Sequence, residues 1–318
     1  MKVITLKDLR VVFMGTPLFS VPILEKLIEN TNVVGVVSSP DAYVGRKKVL
    51  TFSPIKECAL SKNIPVYTPL KLKEDFEFIF ELKPDIIITC AYGAIVPEEV
   101  LNYPRLGCIN IHASLLPKYR GASPIQSVIM NGESETGITL MYMDKTLDTG
   151  DIIKQESLKI DYKDNYETLS NKLSILGTKM IIDELPSIIN GTNNRIKQDD
   201  SMANYVGLIK REDEHLDFNM NALDIYNKIR AFSPSPLANF ILDDKEYKVA
   251  EADVCEIDIK NKDDVPGTII WEGKNSFIVK AKDEGIMILK IKPTGKNIMD
   301  VSSFKNGYHE KLTGKVVR

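Results

Sequence analysis

Short apolar runs alternate with amphipathic stretches through the first half of the chain. Four runs are mostly apolar, which is typical of strands buried on both faces: 9–14, 33–37, 85–90 and 108–111. Between them, apolar residues recur at helical spacing over 21–28, 53–61 and 76–82. The alternation predicts an α/β fold with a Rossmann-like, mostly parallel sheet and right-handed crossovers.

The pattern changes after residue 190. Before it, strands are predicted over 138–143 and 152–160, and a long helix over 165–189. A polar stretch rich in Asn follows, and then a helix over 222–231. Short strands at a spacing typical of a small β-barrel come last: 247–254, 267–271, 276–280 and 285–291. We therefore expect an N-terminal catalytic domain over 1–190, a linker over 191–208 and a C-terminal domain over 209–318.

The composition is ordinary for a globular protein, with 43% hydrophobic and 27% charged residues. No stretch approaches the roughly 18 apolar residues of a membrane helix. The start, MKVITLKDLR, has no apolar run of the kind found in secretory signals, so we expect a cytoplasmic protein. The four cysteines form no CxxC pair and the three histidines have no HExxH spacing. We therefore expect neither disulfides nor a metal site.

Charge gives a mixed indication about nucleic-acid binding. The formal net charge of −3 argues mildly against it, because a basic field over the whole chain is absent. Two local basic patches are present. One is residues 46–48, and the other is the stretch 290–318, where seven Lys and Arg outnumber two acidic residues for a sum of +5. Such patches serve solubility by default and contact phosphate only if other features point to RNA.

Candidate chemistry lies at the ends of two predicted strands. Asn110 and His112 are two residues apart, so both side chains lie on one face at the carboxyl end of a strand, where α/β sheets bind ligands. Asp148 follows another strand in the turn LDTGD. Amide and imidazole donors could stabilise an oxyanion while an amine attacks a formyl carbon. The carboxylate could orient the imidazole and help to remove the amine's proton.

Taken singly, each of these residues has a more common explanation. An Asn at a strand end is usually a cap, a lone His is usually structural, and Asp before Thr-Gly is a frequent turn residue. Their joint placement at strand ends favours a functional site. The first strand is followed by GTPLFS instead of GxGxxG, which makes a dinucleotide-binding function a weak alternative.

Longer motifs carry a resemblance to a known family. NIHASLLPKYRGASPIQ over 110–126 and ETGITLMYMDKTLDTGDII over 135–153 resemble the signature of the folate-dependent formyltransferases. The resemblance extends along the chain through VVFMGTPLFS, ITCAYGAIVPEEVL and NKIRAFSPSP. It implies that Asn110, His112 and Asp148 are catalytic and that the formyl donor is 10-formyltetrahydrofolate. It further implies that the acceptor is the amino group of methionine on an initiator tRNA, for translation initiation.

The resemblance also implies binding residues. Those for folate are Ser114, Leu115, Leu116 and Pro117, then Tyr92, Gly93, Ala94, Ile95 and Val96, then Met143, Asp144 and Leu147. Phe19 matches a position near the methionyl side chain, and Arg46, Lys47 and Lys48 match a basic loop that enters the tRNA acceptor stem. The C-terminal domain resembles an OB-like β-barrel that binds tRNA. A monomer is expected, because nothing in the sequence requires a dimer.

Three alternatives stay open at this point. A related formyltransferase could act on a small acceptor such as an amino sugar or a glycinamide ribonucleotide. A hydrolase could release formate from formyl-folate with the same three residues. A catalytically silent RNA-binding protein is the third, although the intact trio Asn110, His112 and Asp148 argues against it.

Overall fold

The structure, a computed structural model, describes residues 5–44, 48–258 and 261–318. The chain forms two compact units. The first consists of Met1–Pro124, Glu135–Lys159 and Ser170–Gly207, and the second of Ile125–Ser134, Ile160–Leu169 and Leu208–Arg318. Chain segments therefore alternate between the units, and a single cut in the sequence does not separate them.

The helices and strands have these bounds. The helices are α1 (Val21–Asn30), α2 (Pro54–Ser61), α3 (Glu77–Leu82), α4 (Glu98–Leu101), α5 (Pro124–Met130), α6 (Tyr166–Asn190), α7 (Ala222–Ala231) and α8 (Val301–Gly307). The strands up to residue 160 are β1 (Arg10–Gly15), β2 (Asn32–Val37), β3 (Ala42–Val44), β4 (Val49–Thr51), β5 (Val66–Tyr67), β6 (Ile86–Cys90), β7 (Cys108–His112), β8 (Arg120–Gly121), β9 (Glu135–Tyr142) and β10 (Ile152–Lys159). The later strands are β11 (Tyr205–Val206), β12 (Ala238–Leu242), β13 (Lys245–Cys255), β14 (Ile269–Glu272), β15 (Phe277–Lys280), β16 (Gly285–Pro293) and β17 (Met299–Asp300).

The first unit is built on a seven-stranded sheet with the order β10-β9-β7-β6-β1-β2-β5. Strands β5, β2, β1, β6 and β7 are parallel, whereas β9 and β10 are antiparallel additions at one edge. From β1 the chain continues to β2 and β5 on one side of β1, and it then returns to β6 and β7 on the other side. The strand order therefore reverses between β1 and β6. Ligands of open α/β sheets bind beside such a reversal, at the carboxyl ends of the strands.

Local sequence explains these elements well. Every residue of β6 is buried, as its mostly apolar run predicts. Helix α2 begins with Pro54 in its first turn, and the Ser53 hydroxyl caps it by accepting from the Lys56 amide at 3.0 Å. A cap of this kind stabilises a helix by about 1 kcal/mol. The mostly parallel N-terminal sheet predicted from the sequence is confirmed.

Residues 193–207 lie inside the stretch predicted to be a linker. They belong to the first unit and contact the rest of it along their length. The Arg195 guanidinium lies 3.7 Å from the centre of the Tyr142 ring, and Ile196 forms a β-bridge with Ile152. At the other end, β11 pairs in parallel with β8. We refer to these residues as the 193–207 segment. Polar composition indicates an irregular segment here, but irregular structure and a free linker are different things.

The second unit contains an antiparallel sheet with the order β12-β13-β16-β15-β14. The chain's last residues join its two edge strands. Arg318 exchanges two backbone hydrogen bonds with Ile241 of β12, and Ile269 of β14 donates to the Lys315 carbonyl. An edge that is paired in this way is no longer open. The sheet is thereby closed, in agreement with the predicted small barrel, and α7 has the bounds predicted for it.

No helix within the described ranges is long and apolar enough to cross a membrane. The same residues contain no group of three or more His, Cys, Asp or Glu side chains that could hold a metal ion.

Candidate active site

The carboxyl end of β7 carries Asn110 and His112. In the sheet, Asn110 lies opposite Thr89 of β6 on one side and Met141 of β9 on the other. His112 lies opposite Thr139 of β9. The pleat places Asn110 and His112 on one face, as their spacing predicts. The rest of β7 is apolar and buried, which fixes the strand and leaves only its end for polar chemistry.

The amide of Asn110 has a defined orientation. Its Oδ1 accepts from the Thr89 hydroxyl at 2.9 Å, so its Nδ2 is directed towards Asp148, with 3.4 Å between Nδ2 and Oδ1 of the carboxylate. Thr89 is the polar residue of β6 at the site, and the sequence analysis did not identify it. The signal was available, because Thr89 interrupts the apolar run DIIITC next to the strand end. Asn110 can therefore offer its amide protons to the region in front of β7.

His112 is almost completely buried, with 6% of its side chain exposed. Its Nε2 lies 2.9 Å from the carbonyl oxygen of Tyr119. A carbonyl oxygen can only accept, so Nε2 carries a hydrogen. Its Nδ1 faces Asp148, with 3.7 Å between Nδ1 and Oδ2. Oxygen atoms therefore face both ring nitrogens, at hydrogen-bond distance for Nε2 and at a longer distance for Nδ1.

Asp148 lies in a tight turn and is buried, with 8% of its side chain exposed. Its backbone φ is 55°, which is left-handed and uncommon for residues other than glycine. Its Oδ2 accepts from the Gly121 amide at 2.8 Å. Two residues later, a Cβ on Gly150 would come within 1.8 Å of the Tyr142 carbonyl oxygen, so only glycine fits the turn. The sequence DTG thus places a carboxylate in front of β7 at the cost of local strain.

Neither of the two cysteines in β6 and β7 is a candidate nucleophile. Cys90 ends β6 and Cys108 begins β7. Burial raises the pKa of each of these two thiols to about 12, so both stay protonated at neutral pH. A carboxylate, an imidazole and an amide donor remain, and together they suit proton removal and oxyanion stabilisation.

The turn at 114–117, predicted to bind folate, is held by hydrogen bonds to the sheet. The hydroxyl of Thr139 donates to the Ser114 carbonyl at 2.6 Å and accepts from the Leu116 amide at 3.1 Å. The side chains of Ser114 and Leu116 are buried, whereas those of Leu115 and Pro117 are partly exposed. Ser114 and Leu116 therefore support the turn, whereas Leu115 and Pro117 are more accessible to solvent.

The two predicted walls of the folate site each contain buried and exposed residues. In the 92–96 loop, Tyr92 and Val96 belong to the hydrophobic core, and Met143 of the other loop packs against that same core. By contrast, Ile95 is 85% exposed and Leu147 is 62% exposed. The remaining predicted residues of these loops are also exposed: Gly93, Ala94 and Asp144. Each loop thus presents one large apolar side chain to solvent, Ile95 in the first and Leu147 in the second.

The residues predicted to contact tRNA are distributed differently. Phe19 is 9% exposed in the turn before α1, where its carbonyl accepts from the Ser174 hydroxyl at 2.7 Å. Lys48 is exposed and has a positive φ of 47°, at the start of the chain that returns as β4. Arg46 and Lys47 lie outside the described residues.

Gln198 is a second residue at the site that the sequence analysis did not identify. Its Nε2 donates to the carbonyl oxygens of Asp148 and Gly150, both at 2.9 Å. No periodicity or motif marks Gln198, because it lies in a polar stretch more than forty residues after Asp148. Only the tertiary structure brings it to the LDTGD turn.

Several known proteins are similar to this chain. Residues 9–185 match the family described as formyl transferase, and residues 208–309 match the formyl transferase C-terminal domain. The methionyl-tRNA formyltransferase of Staphylococcus epidermidis is 47% identical over 311 residues, which cover 97% of this chain and 99% of the relative. That of Staphylococcus aureus is 44% identical over 309 residues, covering 96% and 98%.

Solved structures of lower identity share the fold. A sugar 3N-formyl transferase superposes with a TM-score of 0.65 at 23% identity, covering 91% of this chain and 99% of that one. A methionyl-tRNA formyltransferase from Clostridium thermocellum superposes with a TM-score of 0.54 at 20% identity, covering 77% and 93%. With both domains matched in order, and close relatives along nearly its whole length, this chain belongs to the formyl transferase family.

Proposed function

We propose that this protein transfers the formyl group of 10-formyltetrahydrofolate to the amino group of methionine on an initiator tRNA, in the cytoplasm, for translation initiation. The observation that carries the proposal is the identity of 44–47% with methionyl-tRNA formyltransferases over 96–97% of the chain. The convergence of Asn110, His112 and Asp148 supports it, because such a transfer needs these groups.

Each residue of the trio has a distinct task in the transfer. The acceptor nitrogen forms a bond to the formyl carbon, the bond from that carbon to the donor nitrogen breaks, and one proton passes from the acceptor nitrogen to the donor nitrogen. Asn110 donates a hydrogen bond to the formyl oxygen while it carries negative charge, and His112 would donate to that oxygen through Nδ1, because its Nε2 is used by the Tyr119 carbonyl. Asp148 accepts the proton that leaves the amine and orients the His112 ring.

The donor fits the rim of the site by its chemistry. The bound folate supplies the formyl carbon. Its flat ring would lie between the 92–96 loop and the loop that contains Met143, Asp144 and Leu147, where the exposed Ile95 and Leu147 would cover its faces. The turn of Ser114, Leu115, Leu116 and Pro117 would complete the wall. Among proteins of the same fold, one sugar formyl transferase structure was determined with 5-N-formyl-THF and another protein with tetrahydrofolic acid.

RNA contact is assigned to the basic segments. Arg46, Lys47 and Lys48 follow β3, and the +5 stretch 290–318 belongs to the second unit, whose small barrel architecture is one that commonly binds nucleic acid. Phosphates would meet cations in both places, and Phe19 would contribute to methionine selection. We propose that the protein does this as a monomer.

The decisive assay uses the full chain with formyl-tetrahydrofolate and three acceptors in parallel. These are initiator tRNA charged with methionine, an amino-sugar nucleotide and water alone. The expected product is formyl-methionyl-tRNA, with no formyl-sugar and only slow release of formate. Transfer to the sugar nucleotide alone, or formate release at the full rate without an acceptor, would overturn the proposal in favour of the corresponding alternative.

Ionic strength gives a separate prediction for the acceptor. Contacts between cations and phosphates release counterions, so the affinity for tRNA should fall about tenfold or more between 50 and 200 mM salt, whereas folate affinity should change little. Equilibrium binding of both ligands across this range measures the difference. A parallel decline for the two ligands would show that phosphate contacts do not govern acceptor binding.

A further inference from the structure

Gln198 contacts the catalytic turn through its side chain alone. Both hydrogens of its amide are used, because Nε2 donates to the carbonyl oxygens of Asp148 and Gly150 at 2.9 Å each. These two carbonyls bracket Thr149 and define the turn on which the Asp148 carboxylate is mounted. Since Asp148 has a φ of 55°, its conformation depends on such external hydrogen bonds more than that of a residue in a relaxed region.

Arg120 fixes which way the Gln198 amide points. The Arg120 guanidinium donates to Gln198 Oε1 from Nε at 3.1 Å and from Nη2 at 2.8 Å. Arginine has no acceptor, so the amide oxygen must face Arg120 and the amide nitrogen must face the turn. Arg120 itself is 1% exposed and also donates to the Tyr205 hydroxyl and to Asp200. The Gln198 side chain therefore cannot flip without leaving buried donors unsatisfied.

The same part of the chain also supports the partner of Asp148. Asn204 accepts from the Tyr119 amide at 2.6 Å through its side chain and from the Arg120 amide at 3.0 Å through its carbonyl. The backbone from Tyr119 to Gly121 in turn holds both catalytic groups, because the Tyr119 carbonyl accepts from His112 and the Gly121 amide donates to Asp148. The 193–207 segment thus contacts the backbone behind His112 and behind Asp148.

We propose that Gln198 is a positioning residue of the formyl transfer, one that acts through Asp148. It would not touch the donor or the acceptor. It would hold the carboxylate at the distance from His112 and Asn110 that the transfer requires, and the 193–207 segment would be part of the catalytic domain for this reason. The inference rests on the proposed function, because it assumes that Asp148 takes part in the reaction.

The primary test compares Gln198→Ala and Gln198→Glu with Lys197→Ala, a change at the exposed neighbour. The Gln198→Glu variant keeps the size and the contact with Arg120 but loses the donors to the turn, so it separates hydrogen bonding from packing. A displacement of about 1 Å at a reacting group costs on the order of 100-fold in rate. We expect kcat to fall by about 10- to 100-fold in both Gln198 variants, with KM for donor and acceptor within about threefold and Lys197→Ala unchanged.

A double-mutant cycle identifies the route of the effect. If Gln198 acts through Asp148, adding Gln198→Ala to Asp148→Asn should lower the residual single-turnover rate by less than about twofold, because the two changes disrupt one unit. An equal loss in both backgrounds would overturn the proposal. So would a loss that appears in KM alone, or a normal kcat in either Gln198 variant.

A spectroscopic readout covers the case in which the residual rate is too low to measure. The chain has three histidines, so the imidazole NMR signals of His112 can be assigned by comparison with His112→Asn. These signals should shift in both Gln198 variants and stay in place in Lys197→Ala, and unshifted signals would contradict the proposal. The wild-type assay separates the two hypotheses. A wild type that uses another acceptor refutes the proposed function, whereas Gln198 is judged with whichever acceptor the wild type accepts.

Discussion

Strand β7 and the 193–207 segment both contribute to the candidate active site, but they do so in opposite ways. The strand is apolar and buried, and its side chains Asn110 and His112 face the place where chemistry would occur. The segment is polar and largely exposed, and it contacts the backbone of Asp148 and of Tyr119, whose carbonyl accepts from His112. One region supplies the reactive groups and the other supplies the hydrogen bonds that hold them.

This difference shows that a polar stretch can be held in place as firmly as a strand, by other means. A buried strand is specified by its own apolar pattern, because burial in a parallel sheet is favourable only for a strand that is apolar on both faces. A polar segment is specified by the donors and acceptors of its neighbours, which no periodicity reveals. Arg120 illustrates this, since its buried guanidinium requires acceptors and finds them in Gln198, Tyr205 and Asp200.

The largest expected effect comes from a change at Asp148, which lies close to the side chains of β7 and whose turn is bound by the 193–207 segment. Asp148→Asn keeps the side-chain size and an oxygen for the Gly121 amide but removes the negative charge beside His112. We expect kcat to fall by about 100- to 10,000-fold, with the melting temperature nearly unchanged. Asp151→Asn, in the same LDTGD turn, is the matched control and should stay within about twofold. Steady-state rates and thermal unfolding measure both, and near-normal turnover in Asp148→Asn would refute the pairing with His112.

A smaller effect should follow from disrupting the backbone contact between β8 and the 193–207 segment. Gly121 has a φ of 116°, and a Cβ there would lie 2.2 Å from the Val206 carbonyl oxygen. Gly121→Ala should therefore push β8 and β11 apart and lower the free energy of unfolding by about 1–3 kcal/mol. Because Gly121 also holds Asp148, kcat should fall as well.

The control for this change is Gly207→Ala in the same segment, where a Cβ meets nothing within 4 Å. Chemical denaturation and steady-state kinetics of the two variants give the comparison. Equal stability of the two alanine variants would mean that the β8–β11 contact does not hold the segment in place.

The smallest effect is expected at the start of the 193–207 segment. Arg195 stacks on the Tyr142 ring at 3.7 Å, and Asn193 donates to the Tyr142 hydroxyl at 3.0 Å. Removing the cation in Arg195→Ala should cost about 0.5–1 kcal/mol of unfolding free energy, the usual value of an exposed cation–π contact. Turnover should change by less than about twofold, since Gln198 and Asn204 still hold the site. Asn194→Ala serves as the control, and a large loss of kcat in Arg195→Ala would extend the positioning role to the whole segment.

The sequence alone determined the main strands, the longer helices and the catalytic candidates, because each of these depends on local pattern, whereas short elements such as β8, β11 and α4 were not predicted. Buried runs, helical spacing and the Ser53 cap are properties of a few consecutive residues. The placement of Asn110 and His112 on one face follows from the pleat of one strand, and the Asp-Thr-Gly sequence indicates the turn that carries Asp148. The resemblance to the formyltransferases added the ligands and the roles.

Only the tertiary structure decided which distant polar groups complete the site and where the units begin and end. Thr89, Gln198 and Arg120 join the candidate catalytic residues because their hydrogen-bonding atoms meet in space after the sheet has formed. The closing of the second unit's sheet by Lys315 and Arg318 is also a contact between distant residues. When a donor and its acceptor lie fifty or eighty positions apart in the chain, the local sequence pattern does not indicate the pair, because a polar residue by itself does not reveal its partner.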